Sequence, residues 1–582
     1  MDYTALRNLK TSVFDDAADG YRSASHMASA AKDSLERRIT AAMASLSGET
    51  TEAAVSQLRE LAKDFHYTQI ECGVISTALN SLAAELRTAQ RKLNQAVSDA
   101  EAEQFTVKPD GSIHWISPQE QSPLNPEHSI TASDPRIFLD AQRNKAQAHA
   151  NRIGAALQEA TAADEKWAPK LRQLKADDDL TVSAADMADA LTDTDAVRAA
   201  AGSVLKESNI PKSKSPADNK KWWDGLTQDQ RDEYTSLYPA NIGALDGLPA
   251  TVRDGANRVV LAETHGAVQL QLDNWRMKEP EQYLTNISAY PGPEAKGSKF
   301  PNPAWLKWNE TTEDLEGRLA GMETIESRIN ASEVSGRTPA YLLGFDNEKL
   351  GHAIVSIGNP DTSDNVVTYV PGTGSKLGKI NDDMDRADLL QGQAALADQS
   401  RKTASILWLG YDAPQDIVPE AMDPKYADGA RQPLTNFLTG IDAAHKGRPH
   451  STILGHSYGT LVAGETMRDH PDLPVENAIL LGSPGAGVNH ARELNIPADH
   501  VWAATAENDL INLTPPREKG KWLDDHSLLF GTDPTSNEFG GRTFQVPDGK
   551  LPLSDGLMPA HSQYWDEKPL ERLAKIVTGG HR

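Results

Sequence analysis

Ser457 lies in the stretch Thr452-Ile453-Leu454-Gly455-His456-Ser457-Tyr458-Gly459-Thr460-Leu461-Val462-Ala463. An apolar, β-type run enters Gly-x-Ser-x-Gly, and a run of small and aliphatic residues leaves it. This is the order of a nucleophile elbow, the sharp strand-to-helix turn that presents a serine hydroxyl at the end of a sheet strand. The turn holds the serine in a strained backbone conformation, and side chains at Gly455 and Gly459 would collide with neighbouring backbone. Ser457 is therefore the expected nucleophile.

A nucleophilic serine needs a base and a carboxylate that orients the base. The apolar run Val501-Trp502-Ala503-Ala504-Thr505 reads as a late sheet strand, and Ala506-Glu507-Asn508-Asp509-Leu510-Ile511 follows it. Asp509 is the expected acid, with Glu507 as the alternative. Met558-Pro559-Ala560-His561-Ser562-Gln563-Tyr564-Trp565 places His561 in a loop before a final amphipathic helix. His526 competes with it but lies too close to the acid strand. The expected triad is Ser457, Asp509 and His561, in that chain order.

The reaction also needs two N–H donors for the oxyanion. Tyr458, the residue after the nucleophile, supplies one. The second is expected at Gly372 or Thr373, in Pro371-Gly372-Thr373-Gly374-Ser375, which follows the alternating strand Asn365-Val366-Val367-Thr368-Tyr369-Val370. This loop is not a phosphate cradle, because its spacing fits neither a Walker A motif nor a dinucleotide fingerprint.

The elements that must position these groups are strands. Ala353–Ile357, Asn365–Val370, Ser405–Leu409, the run into Ser457, Asn477–Leu481 and Val501–Thr505 are short apolar runs, most of them ending in Gly, Pro or Asp. Such runs suit strands buried on both faces of a mostly parallel sheet, with functional loops at their C-terminal ends. Tyr411-Asp412-Ala413-Pro414, after one of these strands, reads either as pocket lining or as plain loop.

From about Thr338 to the end, the chain resembles an actinobacterial α/β-hydrolase family. The likeness is carried by Gly358-Asn359-Pro360-Asp361-Thr362, Tyr369-Val370-Pro371-Gly372-Thr373-Gly374, Trp408-Leu409-Gly410-Tyr411, Gly455-His456-Ser457-Tyr458-Gly459, Gly482-Ser483-Pro484-Gly485, Gly531-Thr532-Asp533-Pro534 and His561-Ser562-Gln563-Tyr564. The resemblance implies an α/β-hydrolase fold, a mostly parallel doubly wound sheet, and a serine hydrolase using the triad above.

The chain upstream is of another kind. From Tyr3 to about Glu103 it has no proline, and apolar residues recur at three- and four-residue spacing, among them Leu58, Leu61, Phe65, Ile70, Ile75, Leu79, Leu82, Leu86 and Leu93. This predicts two long helices broken at Ser47-Gly48-Glu49-Thr50, with Gly48 as C-cap. A β-hairpin around Pro109-Asp110-Gly111 and a helix from about Pro135 to Thr161 follow. The helical hairpin resembles the WXG100-like modules of type VII secretion substrates, although no tryptophan precedes Ser47-Gly48. Tyr67-Thr68-Gln69-Ile70-Glu71 fits the Tyr-x-x-x-Asp/Glu form of that secretion signal, placed mid-helix. The competing reading is a plain packing or dimerisation module.

The expected organisation is a helical hairpin ending in a β-hairpin over 1–130, a helical middle region and linker over 131–337, and a catalytic domain over 338–582. In the middle region, Asp177–Asp179 and Lys212–Pro216 read as solvated linker, and Trp222-Trp223 as a packing anchor. A net charge of −25 argues against nucleic acid and anionic membrane surfaces as partners. No apolar stretch is of spanning length, and no signal-peptide core stands at the start. The expected location is thus cytoplasmic, or outside by a non-classical, type VII-like route. The lone Cys72 reads as core packing. No cofactor and no metal are expected, because no ligand cluster has zinc or calcium spacing. The expected partner is a small-molecule or lipid acyl substrate, with a helical protein or a second copy at the hairpin as a further one. Against the hydrolase stands a second class of function: an interaction protein whose hydrolase domain is inert or transfers acyl groups.

Overall fold

The computed structural model describes residues 1–36, 43, 46, 48–115, 135–174, 181–202, 204–285, 296–331, 337–513, 527–551 and 559–580. Ser47, Asp177–Asp179 and His526 lie outside the described residues.

The first part is helical. Helix α1 (Tyr3–Asn8) and α2 (Ser12–Ser34) precede α3 (Glu49–Ala102), which runs for 54 residues, roughly 80 Å at the α-helical rise. Gly48 directly precedes α3, so its place is the start of the second helix rather than the end of the first. The small hairpin β1 (Thr106–Val107) and β2 (Ile113–His114) follows. Its turn is tied by Asp110, which accepts from the Ser112 N–H and hydroxyl at 2.9 and 2.6 Å.

Helix α4 (Pro135–Gln173), α5 (Ala184–Ala201), α6 (Pro216–Asp224), α7 (Gln228–Leu237) and α8 (Pro239–Gly243) complete this layer. The seam of α3 differs from the expected apolar stripe. Leu61 is 42% exposed and Cys72 is only half-buried, while Ala62, His66, Ser76, Thr77 and Ser81 are buried. Because α3 packs against α2, α4, α5 and α7 on several sides, small and polar residues fill the close approaches. Glu71 is among the buried residues, so the Tyr67…Glu71 pattern is not displayed on the surface. Trp223 is buried and Trp222 packs on the same helical core.

Helix α9 (Ala250–Arg276), the hairpin β3 (Tyr283–Thr285) and β4 (Lys299–Pro301), and α10 (Pro303–Asn330) lead to the sheet. The sheet is built from β5 (Ala340–Asp346), β6 (His352–Ile357), β7 (Asn365–Val370), β8 (Thr403–Leu409), β9 (His450–His456), β10 (Asn477–Leu481), β11 (Val501–Ala504) and β14 (Arg542–Thr543). The pair β12 (Ser527–Leu528) and β13 (Gly531–Thr532) stands apart. The order is β14-β11-β10-β9-β7-β8-β6-β5, parallel from β14 to β8, with β6 antiparallel to both its neighbours. Helix α11 (Ile380–Ala397), α12 (Lys425–Ala444), α13 (Gly459–Asp469) and α14 (Glu567–Val577) cover its faces. This is an α/β-hydrolase fold preceded by a mainly helical region that carries two small β-hairpins. Strands β7, β8 and β10 are buried throughout, as continuous apolar runs between two helical layers should be.

The sheet core continues upstream of residue 338. Leu261, Val268 and Leu272 of α9, and Leu315, Leu319, Met322 and Ile325 of α10, share one cluster with Leu342, Val355 and Ile357. Helix α9 also seals the sheet edge. Asp254 accepts the Leu342 N–H at 2.7 Å, and Asn257 donates to the Leu342 carbonyl at 3.0 Å, which satisfies both backbone groups of an edge residue. The start of α9 is capped from the sheet side: the Ala250 N–H donates to Asp361 at 2.7 Å.

Two carboxyls stand buried where α3, α5 and α9 meet. Glu71 and Glu263 each carry an Oε1 without a partner. Burial, with nearby aspartates, pushes Glu71 up from 4.5 to about 7. Burial, helped by Asp195 and Glu71 and opposed by Arg198, pushes Glu263 from 4.5 to about 8. A carboxyl raised in the folded state adds no penalty while both states are protonated, and destabilises as pH climbs from its unfolded value through its folded one. Stability of the helical layer should therefore fall between pH 4.5 and about 8. Urea unfolding at pH 8 should show Glu263→Gln more stable than the parent by on the order of 1–3 kcal/mol, with a flatter pH dependence. A variant that is destabilised at pH 8 would contradict this.

Candidate active site

Strand β9 ends at His456, and α13 begins at Gly459. Between them Ser457 has φ +56°, the left-handed region that costs a non-glycine residue of order 1–3 kcal/mol and marks sites where the surroundings enforce it. The enforcing contacts are backbone. A Cβ at Gly459 would lie 2.2 Å from the Val370 carbonyl, and one at Gly455 would lie 2.7 Å from the Gly459 carbonyl. Neither position admits a side chain. Ser457 is 8% exposed, and its N–H donates to the Leu481 carbonyl at 2.9 Å.

The residue after Leu481 abuts the other two expected members. Gly482 has φ +51°, and a Cβ there would stand 3.0 Å from His561 Cε1 and 3.1 Å from Asp509 Oδ2. Asp509 follows β11 and is 2% exposed. His561 sits in the 3-10 turn Pro559–Trp565. His561 Nδ1 and Asp509 Oδ2 are 2.7 Å apart. The alternative acid, Glu507, is exposed. Burial pushes the Asp509 carboxyl up. The His561 bond and charge, the Tyr564 hydroxyl and the Ile511 N–H outweigh it and hold the group below the usual carboxylate range.

The glycine loop after β7 meets the elbow. A Cβ at Gly372 would lie 2.7 Å from Ser457 Cβ and 3.0 Å from the Tyr458 nitrogen. The N–H groups of Gly372, Thr373 and Tyr458 donate to no acceptor among the described residues. The loop is held from behind: Gly374 N–H donates to the Pro414 carbonyl at 2.8 Å, and the Ser375 hydroxyl to Asp383 at 2.8 Å. Tyr411 is buried and donates to the Pro371 carbonyl at 2.7 Å. Asp412 pairs with Lys349 at 2.7 Å. The Tyr411–Pro414 segment thus braces the loop.

Two residues escaped the sequence reading. Tyr564 donates to Asp509 Oδ2 at 2.7 Å and accepts the Ala506 N–H at 3.0 Å. His456 donates from Nε2 to the His561 carbonyl at 2.8 Å, and the two rings lie 4.7 Å apart. Burial, together with His561 and Arg386, pushes His456 far down, so it is neutral. The signals were present: His456 adjoins the nucleophile, and Tyr564 is three residues from His561, the spacing that stacks side chains in a 3-10 turn. Among the described residues no group of three His, Cys, Asp or Glu is placed to hold a metal. No helix among them is long and apolar enough to cross a membrane.

Residues 346–518 match the model of a family described as alpha/beta hydrolase. Uncharacterized protein Rv2079 of Mycobacterium tuberculosis is 28% identical over 384 residues, covering 62% of this chain and 55% of that protein. The chain therefore spans about half the length of that relative. Uncharacterized protein Mb0988c of Mycobacterium bovis is 31% identical over 227 residues, covering 36% of this chain and 81% of that protein. Among solved structures, a chain from a study of two fungal esterases of Rhizomucor miehei superposes with a TM-score of 0.25 at 11% identity, over 45% of this chain and 90% of that one. An arylesterase does so with a TM-score of 0.24 at 12% identity, over 41% and 84%. Residues 346–518, which hold most of the sheet, are thus an alpha/beta hydrolase domain, in a chain related to the Mycobacterium bovis protein.

Proposed function

We propose that this chain is a serine hydrolase that cleaves a carboxylic ester, or a related acyl bond, through an acyl-enzyme. The observation that carries the reading is the His561–Asp509 pair at 2.7 Å, packed through Gly482 against the strained turn that presents Ser457. In this reading His561 takes the Ser457 proton as the hydroxyl attacks the carbonyl carbon. Asp509 fixes the tautomer by accepting from Nδ1 and stabilises the imidazolium. The developing oxyanion is met by the Tyr458 N–H and by Gly372 or Thr373. His561 then returns the proton to the leaving group, and water, activated by the same base, hydrolyses the acyl-enzyme. Because the donors are backbone groups in a braced loop, they need no reorganisation as charge develops.

Ser457→Ala should eliminate hydrolysis of a short p-nitrophenyl ester and labelling by a fluorophosphonate probe. Turnover in that variant would move the nucleophile elsewhere. A chain that is inert as an enzyme would show no labelling in the parent either, and one that transfers acyl groups would label but favour an added alcohol over water.

The choice of acid is checked separately. Asp509→Asn should lower kcat by about 10³–10⁴-fold, while Glu507→Gln should stay within about two-fold, since an exposed surface substitution away from the site disturbs little. The reverse ranking would reassign the acid.

Gly482→Ala tests the packing of the three groups. A Cβ at 3.0 Å from His561 Cε1 must displace the imidazole, and an ångström of misplacement costs about 10²-fold in rate. Ester hydrolysis by a folded Gly482→Ala protein at the parent rate would contradict the placement of His561.

A further inference from the structure

Asp509 is held by more than the histidine. Its Oδ2 accepts two hydrogen bonds of 2.7 Å, from His561 Nδ1 and from the Tyr564 hydroxyl, and its Oδ1 accepts the Ile511 N–H at 3.0 Å. Its side chain is fully shielded from solvent. No water can therefore stand in for a donor that is removed.

The direction of the Tyr564 bond is fixed by chemistry. An amide N–H can only donate, so the phenol oxygen accepts from Ala506, and its own hydrogen goes to the carboxylate. Tyr564 is 1% exposed, and burial with the neighbouring carboxylate keeps the phenol protonated. His561 and Tyr564 therefore approach one carboxylate oxygen from one turn of the same 3-10 segment.

We infer that Tyr564 is a positioning residue that sets how strongly Asp509 holds the proton on His561. The inference rests on the serine-hydrolase reading of this site. A phenol on Oδ2 draws charge away from the oxygen that faces His561. Without it, negative charge concentrates there, the protonated imidazole is held more tightly, and a higher pH is needed to free the base. The other groups around the pair are few. His456 on β9 is neutral, and Arg386 on α11 is stacked on Trp565 at 4.7 Å and paired with Asp383 at 2.8 Å. Neither donates to Asp509, so among the described residues no other side chain takes over the role of the phenol.

The test uses the full chain and the rate of fluorophosphonate labelling at Ser457 as a function of pH, which needs no knowledge of the substrate. In Tyr564→Phe the pH of half-maximal rate should rise by roughly 0.5–1 unit. With 3-fluorotyrosine at position 564, which keeps the ring and hydroxyl and donates more strongly, it should fall. In an Asp509→Asn background both changes should be silent. A folded Tyr564→Phe protein whose rate drops with no change of midpoint would overturn the inference and leave Tyr564 a packing residue. A shift that persists in Asp509→Asn would overturn it as well. A parent protein that is not labelled at Ser457 at any pH would instead remove the serine-hydrolase reading beneath it.

Discussion

The approach of the β9–α13 turn to the end of β7 is the contact on which the site depends. Val370 pairs with Gly455 in the parallel ladder, and the Gly459 backbone then passes so close to the Val370 carbonyl that hydrogen is the largest substituent it can carry. From this one approach follow the left-handed backbone of Ser457, the placing of the Tyr458 N–H beside Gly372, and the start of α13. The register that fixes it is strongly specified. Both strands are buried on both faces over this stretch, and a slip of one residue would exchange the two layers of side chains. The site also sits where the strand order reverses: β8 lies on one side of β7 and β9 on the other. That is the place in an open α/β sheet where loops diverge and leave a crevice.

The helical region bears on the sheet through α9. One face of that helix joins the sheet core, and Asp254 and Asn257 close the exposed backbone of β5. Its first N–H is in turn satisfied by Asp361, from the loop between β6 and β7. An uncapped N–H at a buried helix start would carry a desolvation penalty of about 1–3 kcal/mol. The sheet and the helix thus satisfy each other's unpaired backbone groups. This explains in physical terms why Gly358-Asn359-Pro360-Asp361-Thr362, far from Ser457, belongs with the sheet, and why the core does not stop at residue 338.

What could be read from the chain alone was what local rules dictate. The elbow was legible because its glycines answer a steric demand within five residues. The buried strands were legible because burial on two faces leaves continuous apolar runs. The places of Ser457 and Asp509 could be followed from strand end to strand end, and that of His561 from the amphipathic helix after it. Other features depend on which elements meet. The stripe of α3 is legible only in part, with Ile70, Leu82, Leu86 and Leu93 buried as expected, because several neighbouring helices, rather than one, decide which of its residues are covered. Leu61 looks apolar at helical spacing and yet is exposed, Cys72 is only half-buried, and Glu71 looks solvated and is buried. Asp361 as a distant cap and Tyr411 as a brace for Pro371 have no sequence signature, because each acts on backbone far along the chain.

One buried chain of contacts joins the two halves of the site. Ser375, in the glycine loop, donates to Asp383, which also accepts from the Tyr369 hydroxyl and from Arg386, each at 2.8 Å. The Arg386 guanidinium lies 4.7 Å from the Trp565 ring centre, and Trp565 meets His456 edge-on at 4.9 Å. His456 in turn holds the His561 carbonyl. In the proposed reaction the oxyanion donors and the imidazole must keep one geometry, yet they sit on loops far apart in sequence. A single carboxylate satisfied by three donors, and a guanidinium stacked on an indole, cost little reorganisation once formed, because both Asp383 oxygens are already paired. The network fixes the glycine loop and the histidine turn relative to the same α11 helix. A disturbance at Asp383 would therefore be felt at both ends of the site, although Asp383 touches neither Ser457 nor His561.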